Sequence, residues 1–272
     1  MRRLAIGLTA LALTGITACG SGQTAQSNDP TGEDSPEQSE QELNPLSSTS
    51  ALGDAVSEAM RETSTVKVSM RAENYPVSTA EMVNYDCEME LIGPRMHCSG
   101  LLDFILDSGE FYMKPPERMR EQRGITEPWV KLPAGKLGQS STDFSQLSKF
   151  GDIERMLPEG STIGEKRKTE LDGRQVVRYD VTVDMNVTLE KGEQQYRQRA
   201  QRMLDRGVEE LEYVFWVDER GLPMRITSET PDIAGIPPDA RMVITYSDWG
   251  EPVDITVPPA EKIDEQYTQD PV

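Results

Sequence analysis

The sequence predicts an α+β fold in which a large antiparallel sheet of about ten or eleven strands is covered on one face by a few short helices. Three observations predict it. Apolar and polar residues alternate with a period of two in run after run from Val66 to Tyr246, the pattern of strands with one covered and one wet face. Glycine-bearing turns at Asp107-Ser108-Gly109-Glu110, Asp172-Gly173 and Asp218-Glu219-Arg220-Gly221 join neighbouring runs. Helical spacing is confined to three stretches.

The chain opens with Arg2 and Arg3, followed by an apolar run from Leu4 to Ala18. At about 15 residues that run suits a secretory signal and falls short of the roughly 20 that a membrane span needs. It ends in Ile16-Thr17-Ala18-Cys19: a branched apolar residue, two small residues, then cysteine, the form of a bacterial lipobox. A lipidating enzyme requires that thiol, because only a thiol takes the diacylglyceryl thioether. Residues 1–18 are therefore expected to be a signal peptide, and Cys19 the acylated N-terminus, anchored at the extracytoplasmic face of the plasma membrane. Two or more acyl chains, at about 0.8 kcal/mol per buried methylene, anchor stably.

Residues 19–50 read as an acidic tether. They hold Asp29, Glu33, Asp34, Glu37, Glu40 and Glu42 with no lysine, arginine or aromatic residue, and are expected to be disordered. As a flexible coil, about 30 residues reach roughly 30 Å. The folded domain is expected over residues 51–272.

Thr49 or Ser50 caps a first helix over Ala51–Glu62, with Leu52, Ala55, Val56, Ala59 and Met60 on one face. The strands follow. Val66, Val68, Met70 and Ala72 alternate with polar residues, as do Val83, Tyr85, Cys87, Met89 and Leu91. Thr142–Leu157 reads as one or two short helices interrupted near Gly151. After a strand bearing Val177, Tyr179, Val181 and Val183 comes a longer helix over Glu190–Arg206. Leu211, Tyr213, Phe215 and Val217 form the next strand, then Met224 and Ile226, then Met242, Ile244 and Tyr246.

Cys87 and Cys98 are an even pair in an exported chain, which predicts a disulfide. If they face each other across a hairpin, the register sets Met89 against Met96 on the apolar face. The same register sets Glu90 against Arg95 and Glu88 against His97 on the wet face. A CxxC redox pair or a metal site would need another spacing and more ligands.

The formal charge of −19 becomes −21 once Arg2 and Arg3 leave with the signal, a surface that repels nucleic acid and anionic head groups. His97 is the only histidine, so sites built on several imidazoles are excluded, and a Ser-His-Asp triad would have to use a residue on a wet strand face. No phosphate-binding glycine loop occurs. With 47 acidic residues, any carboxylate dyad is uninformative. No catalytic residue, metal or cofactor is expected.

Two C-terminal runs carry a resemblance: Val217-Asp218-Glu219-Arg220-Gly221-Leu222-Pro223-Met224-Arg225 and Tyr246-Ser247-Asp248-Trp249-Gly250-Glu251-Pro252-Val253. Together with the lipobox and the strand pair Phe111-Tyr112-Met113-Lys114 and Trp129-Val130-Lys131, they resemble the LppX/LprG (LppX_LprAFG) lipoproteins of actinobacteria, of LolA/LolB-like fold, over roughly residues 51–259. The cysteine pair and the long acidic tether depart from that pattern. The resemblance implies a strongly curved antiparallel half-barrel wrapped around helices, with an apolar cavity between them that takes acylated lipids or glycolipids. The candidates for its lining are Val68, Met70, Tyr85, Met89, Val177, Tyr179 and Val181, with Leu211, Tyr213, Phe215, Met224, Ile226, Met242 and Ile244.

The expectation is a non-enzymatic envelope lipoprotein that binds or carries acylated lipids, for which a membrane transporter is a candidate partner. The alternatives are a non-catalytic interaction or sensor module with a filled core, and a hydrolase, which would need a buried carboxylate pair or an activated serine.

Overall fold

The computed structural model describes residues 44–93, 95–133, 153–231 and 235–264. The expected signal peptide, Cys19, the expected tether as far as Leu43 and the expected helical stretch 142–152 lie outside the described residues.

Helix α1 (Thr49–Thr63) starts earlier than its apolar stripe suggests, because Ser48 is the cap: its Oγ accepts the Ala51 N–H at 3.1 Å. Leu52, Val56, Ala59 and Met60 are buried along one side. The strands are β1 (Thr65–Glu73), β2 (Tyr85–Glu90), β3 (Arg95–Gly100), β4 (Asp103–Asp107), β5 (Glu110–Lys114), β6 (Trp129–Pro133), β7 (Ser161–Leu171), β8 (Arg174–Asp184), β9 (Glu210–Asp218), β10 (Pro223–Glu229), β11 (Arg241–Ser247) and β12 (Ile263–Asp264). They form one open, curved sheet in the order β12-β6-β5-β4-β3-β2-β1-β11-β10-β9-β8-β7. Every pairing is antiparallel except that of the two-residue β12 with β6.

The covered face is built from cross-strand rows. Tyr179, Phe215, Ile226, Ile244, Met70 and Tyr85 stand side by side from β8 to β2. A second row runs from Tyr246 through Val68, Cys87, Cys98, Phe104 and Met113 to Val130 on β6. All of these side chains are buried and all belong to one core. Alternation fixes the register, since a one-residue slip would bring the polar face inward.

The helices differ from expectation. The single helix expected over Glu190–Arg206 is two, α4 (Met185–Lys191) and α5 (Gln194–Leu204), parted at Gly192. A side chain at Gly192 would stand 2.5 Å from the Thr188 carbonyl oxygen, so the chain turns there. Two more, α2 (Val77–Val83) and α3 (Glu117–Arg123), bury no residue, and thus have no apolar stripe to betray them. The described residues hold five α-helices, where a few short ones, three in number, were expected. Of the expected 142–157 helices, the described part is a 3-10 turn over Ile153–Met156.

The outer face is polar over most strands but not all. The segment after Trp249 crosses β4–β6, where Ile255 packs on Ile105 and Tyr112 in a second small core with Trp129, Val253, Val257 and Ile263 beside it. Arg95 ties this strap down: its guanidinium donates to the Ile255 carbonyl at 2.7 Å while pairing with Glu90 and Asp107.

Candidate functional site

The cysteine hairpin has the expected register. Cys87 and Cys98 are disulfide-bonded, and Glu90, Met89 and Glu88 face Arg95, Met96 and His97. The bond lies on the buried face (3% and 0% exposed), so it staples the core rather than offering a redox site.

The two C-terminal runs meet in space. The carboxylate of Asp218, itself buried, accepts the backbone N–H groups of Arg220 and Leu222 at 3.0 and 2.9 Å and the Arg220 Nε–H at 3.2 Å, closing the β9–β10 turn. The Trp249 indole donates to the Pro223 carbonyl at 3.1 Å and stacks on Tyr246, ring centres 5.8 Å apart. Gly221, at φ +83°, sits against the Ala55–Ala59 stretch of α1; a Cβ there would lie 3.3 Å from the Ala55 carbonyl oxygen. These runs therefore build the corner that holds α1 over the sheet.

Beside that corner α1 and the sheet part. The resulting cleft, about 420 Å³, is lined by Ala55 and Ala59 of α1, Val177 and Tyr179 of β8, Val217 of β9, and Leu46. Asn44, Glu58, Glu62, Asp218, Glu219 and Arg220 also line it. The polar, proline-bearing surroundings of Leu46 place it in the expected tether; in the structure it packs against the core. Its N–H donates to the Tyr179 hydroxyl and its carbonyl accepts from Lys166 Nζ, both at 3.0 Å. Nothing in the sequence distinguishes Leu46 except that it is the last large apolar residue before the helix cap. Burial pushes the Tyr179 phenol up, opposed in part by the Leu46 N–H, so the group stays neutral.

Of the expected lining residues, Val177 and Tyr179 stand at this cleft. Leu211 and Tyr213 border a void of about 10 Å³ beneath α4 and α5, room for roughly one water. Val68, Met70, Tyr85, Met89, Val181, Phe215, Ile226 and Ile244 are packed in the core. Met224 is half-buried because the β9–β10 register shifts at its position, and Met242 is half-buried opposite Ala72 and Ser228.

The outer face carries a groove of about 560 Å³ that includes Lys67, Asp86, Glu88, His97 and Asp254. Its charges already have partners: Lys67 with Asp248 at 3.1 Å, Asp86 with Arg71 at 2.7 Å, and Glu88 with the Asp254 N–H at 2.9 Å. Among the described residues no group of three or more His, Cys, Asp or Glu side chains gathers to hold a metal, and no helix is long and apolar enough to cross a membrane.

The chain is thus an open, mostly antiparallel sheet clasping helices, with a cleft where helix and sheet separate. Among solved structures the chain is similar to the lipoprotein LppX of Mycobacterium tuberculosis, at 14% identity and a TM-score of 0.48, over 76% of this chain and 98% of that one. It is similar to LprF of Mycobacterium bovis at 16% identity and a TM-score of 0.48, over 77% and 96% of the two chains. A LolA superfamily protein of Nitrosomonas europaea aligns at 10% identity and a TM-score of 0.27, over 83% and 99%. No family model matches the chain, and no curated protein matches it by sequence.

Proposed function

We propose that this chain is a lipid-anchored envelope lipoprotein of the LppX/LprG type that binds or carries acylated lipids, without catalysing a reaction. The observation that carries the reading is the cleft between α1 and the covered face. Its 420 Å³ lies within the roughly 300–1,000 Å³ of small-molecule sites, and its lining joins an apolar strip of Leu46, Ala55, Ala59, Val177 and Val217, beside the Tyr179 hydroxyl, to a charged side. An acyl chain needs no charged recognition there, since each buried methylene contributes about 0.8 kcal/mol. The lipobox ending in Cys19 supports anchoring at the extracytoplasmic face, and the acidic stretch behind it supports a tether along which the domain reaches lipid or a membrane transporter.

The test is to extract protein purified from its own membranes and identify the lipids that accompany it. Acylated lipid beyond the covalent anchor is the expected result; protein that is repeatedly lipid-free and has no affinity for acylated probes contradicts it. Cys19→Ser should lose the acyl mass and leave the detergent phase. The second reading, an interaction module with a filled interior, draws support from the void of only about 10 Å³ beneath α4 and α5, and lipid-free protein would favour it.

A further inference from the structure

We infer that Leu46 is a built-in occupant of the cleft, displaced when an acyl ester loads, and that the Tyr179 hydroxyl then takes the ester carbonyl. The inference rests on the lipid-binding reading above and adds to it a position, a polar determinant and a competitor.

The geometry is specific. Tyr179 and Lys166 are partners across β7 and β8, beside the β-bulge that follows Ile163. Together they hold one residue, Tyr179 accepting the Leu46 N–H and Lys166 donating to the Leu46 carbonyl. The Leu46 side chain packs against the core and shares the cleft wall with Val177, Val217 and Ala59. A branched apolar group beside one amide occupies the place that the first carbons and carbonyl of an acyl ester would take.

Tyr179 is 2% exposed, and a phenol both donates and accepts. Toward Leu46 it only accepts, which leaves its own O–H able to donate. An incoming ester carbonyl can accept that O–H, whereas the Leu46 N–H cannot. Exchange therefore turns the hydroxyl from acceptor to donor, while Lys166 turns from the Leu46 carbonyl to the head group. Because Leu46 lies two residues before the Ser48 cap of α1, its release also frees the residues that lead into that helix.

The test uses the full-length chain carrying Cys19→Ser, so that no covalent acyl group competes, and two pyrene-labelled lysophospholipids identical except for an ester or an ether at the acyl linkage. The parent should prefer the ester about threefold to tenfold, the range one hydrogen bond supplies. In Tyr179→Phe, which keeps the buried ring, that preference should fall to about one. Leu46→Ser weakens the competitor and should tighten both probes about fivefold to tenfold, the contribution of a half-buried leucine. An ester preference that survives Tyr179→Phe, or affinities unchanged by Leu46→Ser, would overturn the inference while leaving lipid binding intact. Failure of every form to bind either probe would overturn both.

Discussion

Phe215→Ala puts the one-sided sheet at risk most sharply when it is paired with its neighbour, Val214→Ala. Phe215 is fully buried, flanked by Tyr179 on β8 and Ile226 on β10, with the Tyr213 ring 6.2 Å away. Truncation there removes a phenyl ring from the middle of the row and should cost about 3–5 kcal/mol. Val214 points the other way, between Asp180 and Thr227, and is half-buried. Loss of its two methyl groups should cost about 0.8 kcal/mol. In urea, with a slope near 3 kcal/mol per molar for a domain of this size, the midpoints should fall by about 1–1.7 M and about 0.3 M respectively. Both changes go from apolar to alanine, so the contrast reports the face and not the chemistry. Equal shifts, or a larger one for Val214→Ala, would mean that β9 is covered on both sides.

Asp218→Ala should cost about 2–3 kcal/mol, because it leaves two backbone donors of the β9–β10 turn unpaired, and amide exchange at Leu222 should accelerate; an unchanged melt and exchange rate would remove Asp218 from its role. Replacing Cys87 and Cys98 together by alanine should cost about 3 kcal/mol in loop closure, with wild type in reductant melting alongside the variant; a reduced wild type as stable as the oxidised one would contradict this. Partial burial, with the neighbouring Glu229 carboxylate adding to it, raises the Glu212 carboxyl above its ordinary 4.5, so the folded chain holds that proton more tightly than the unfolded chain. Its favourable contribution is complete below pH 4.5 and lost as pH rises through the raised value. Glu212→Gln should therefore melt higher than the parent at pH 7, with the gap closing below pH 4.5; a gap equal at both would refute it.

What the sequence reveals depends on which residues the fold buries. The β1–β2–β3 and β8–β9 strands are legible because every second side chain enters one core, which imposes a period of two. The cysteine register is legible for the same reason, because one pairing satisfies both faces. Helices α2 and α3 bury nothing, so no periodicity marks them. Arg178 looks like an ordinary wet-face residue, yet it lies over the Trp216 ring and pairs with Asp180 at 2.7 Å, so Arg178→Asp would not be the mild change that alternation alone suggests. Val253, Ile255 and Val257 alternate like a strand, but they belong to a strap over the outer face that only the tertiary fold positions. The candidate site was half legible. Val177 and Tyr179 follow from alternation, whereas Leu46 reaches them through the fold, from a segment whose composition reads as tether.

The central claim is that an acyl chain enters between α1 and the covered face. The most direct measurement is photocrosslinking of the full-length chain with a lysophospholipid bearing a diazirine near the end of its acyl chain, followed by peptide mapping. The account predicts adducts on the cleft wall, at Ala55, Ala59, Val177 and Val217. Adducts gathered instead on the outer face around Lys67, Ser69 and His97, or no saturable labelling, would contradict it.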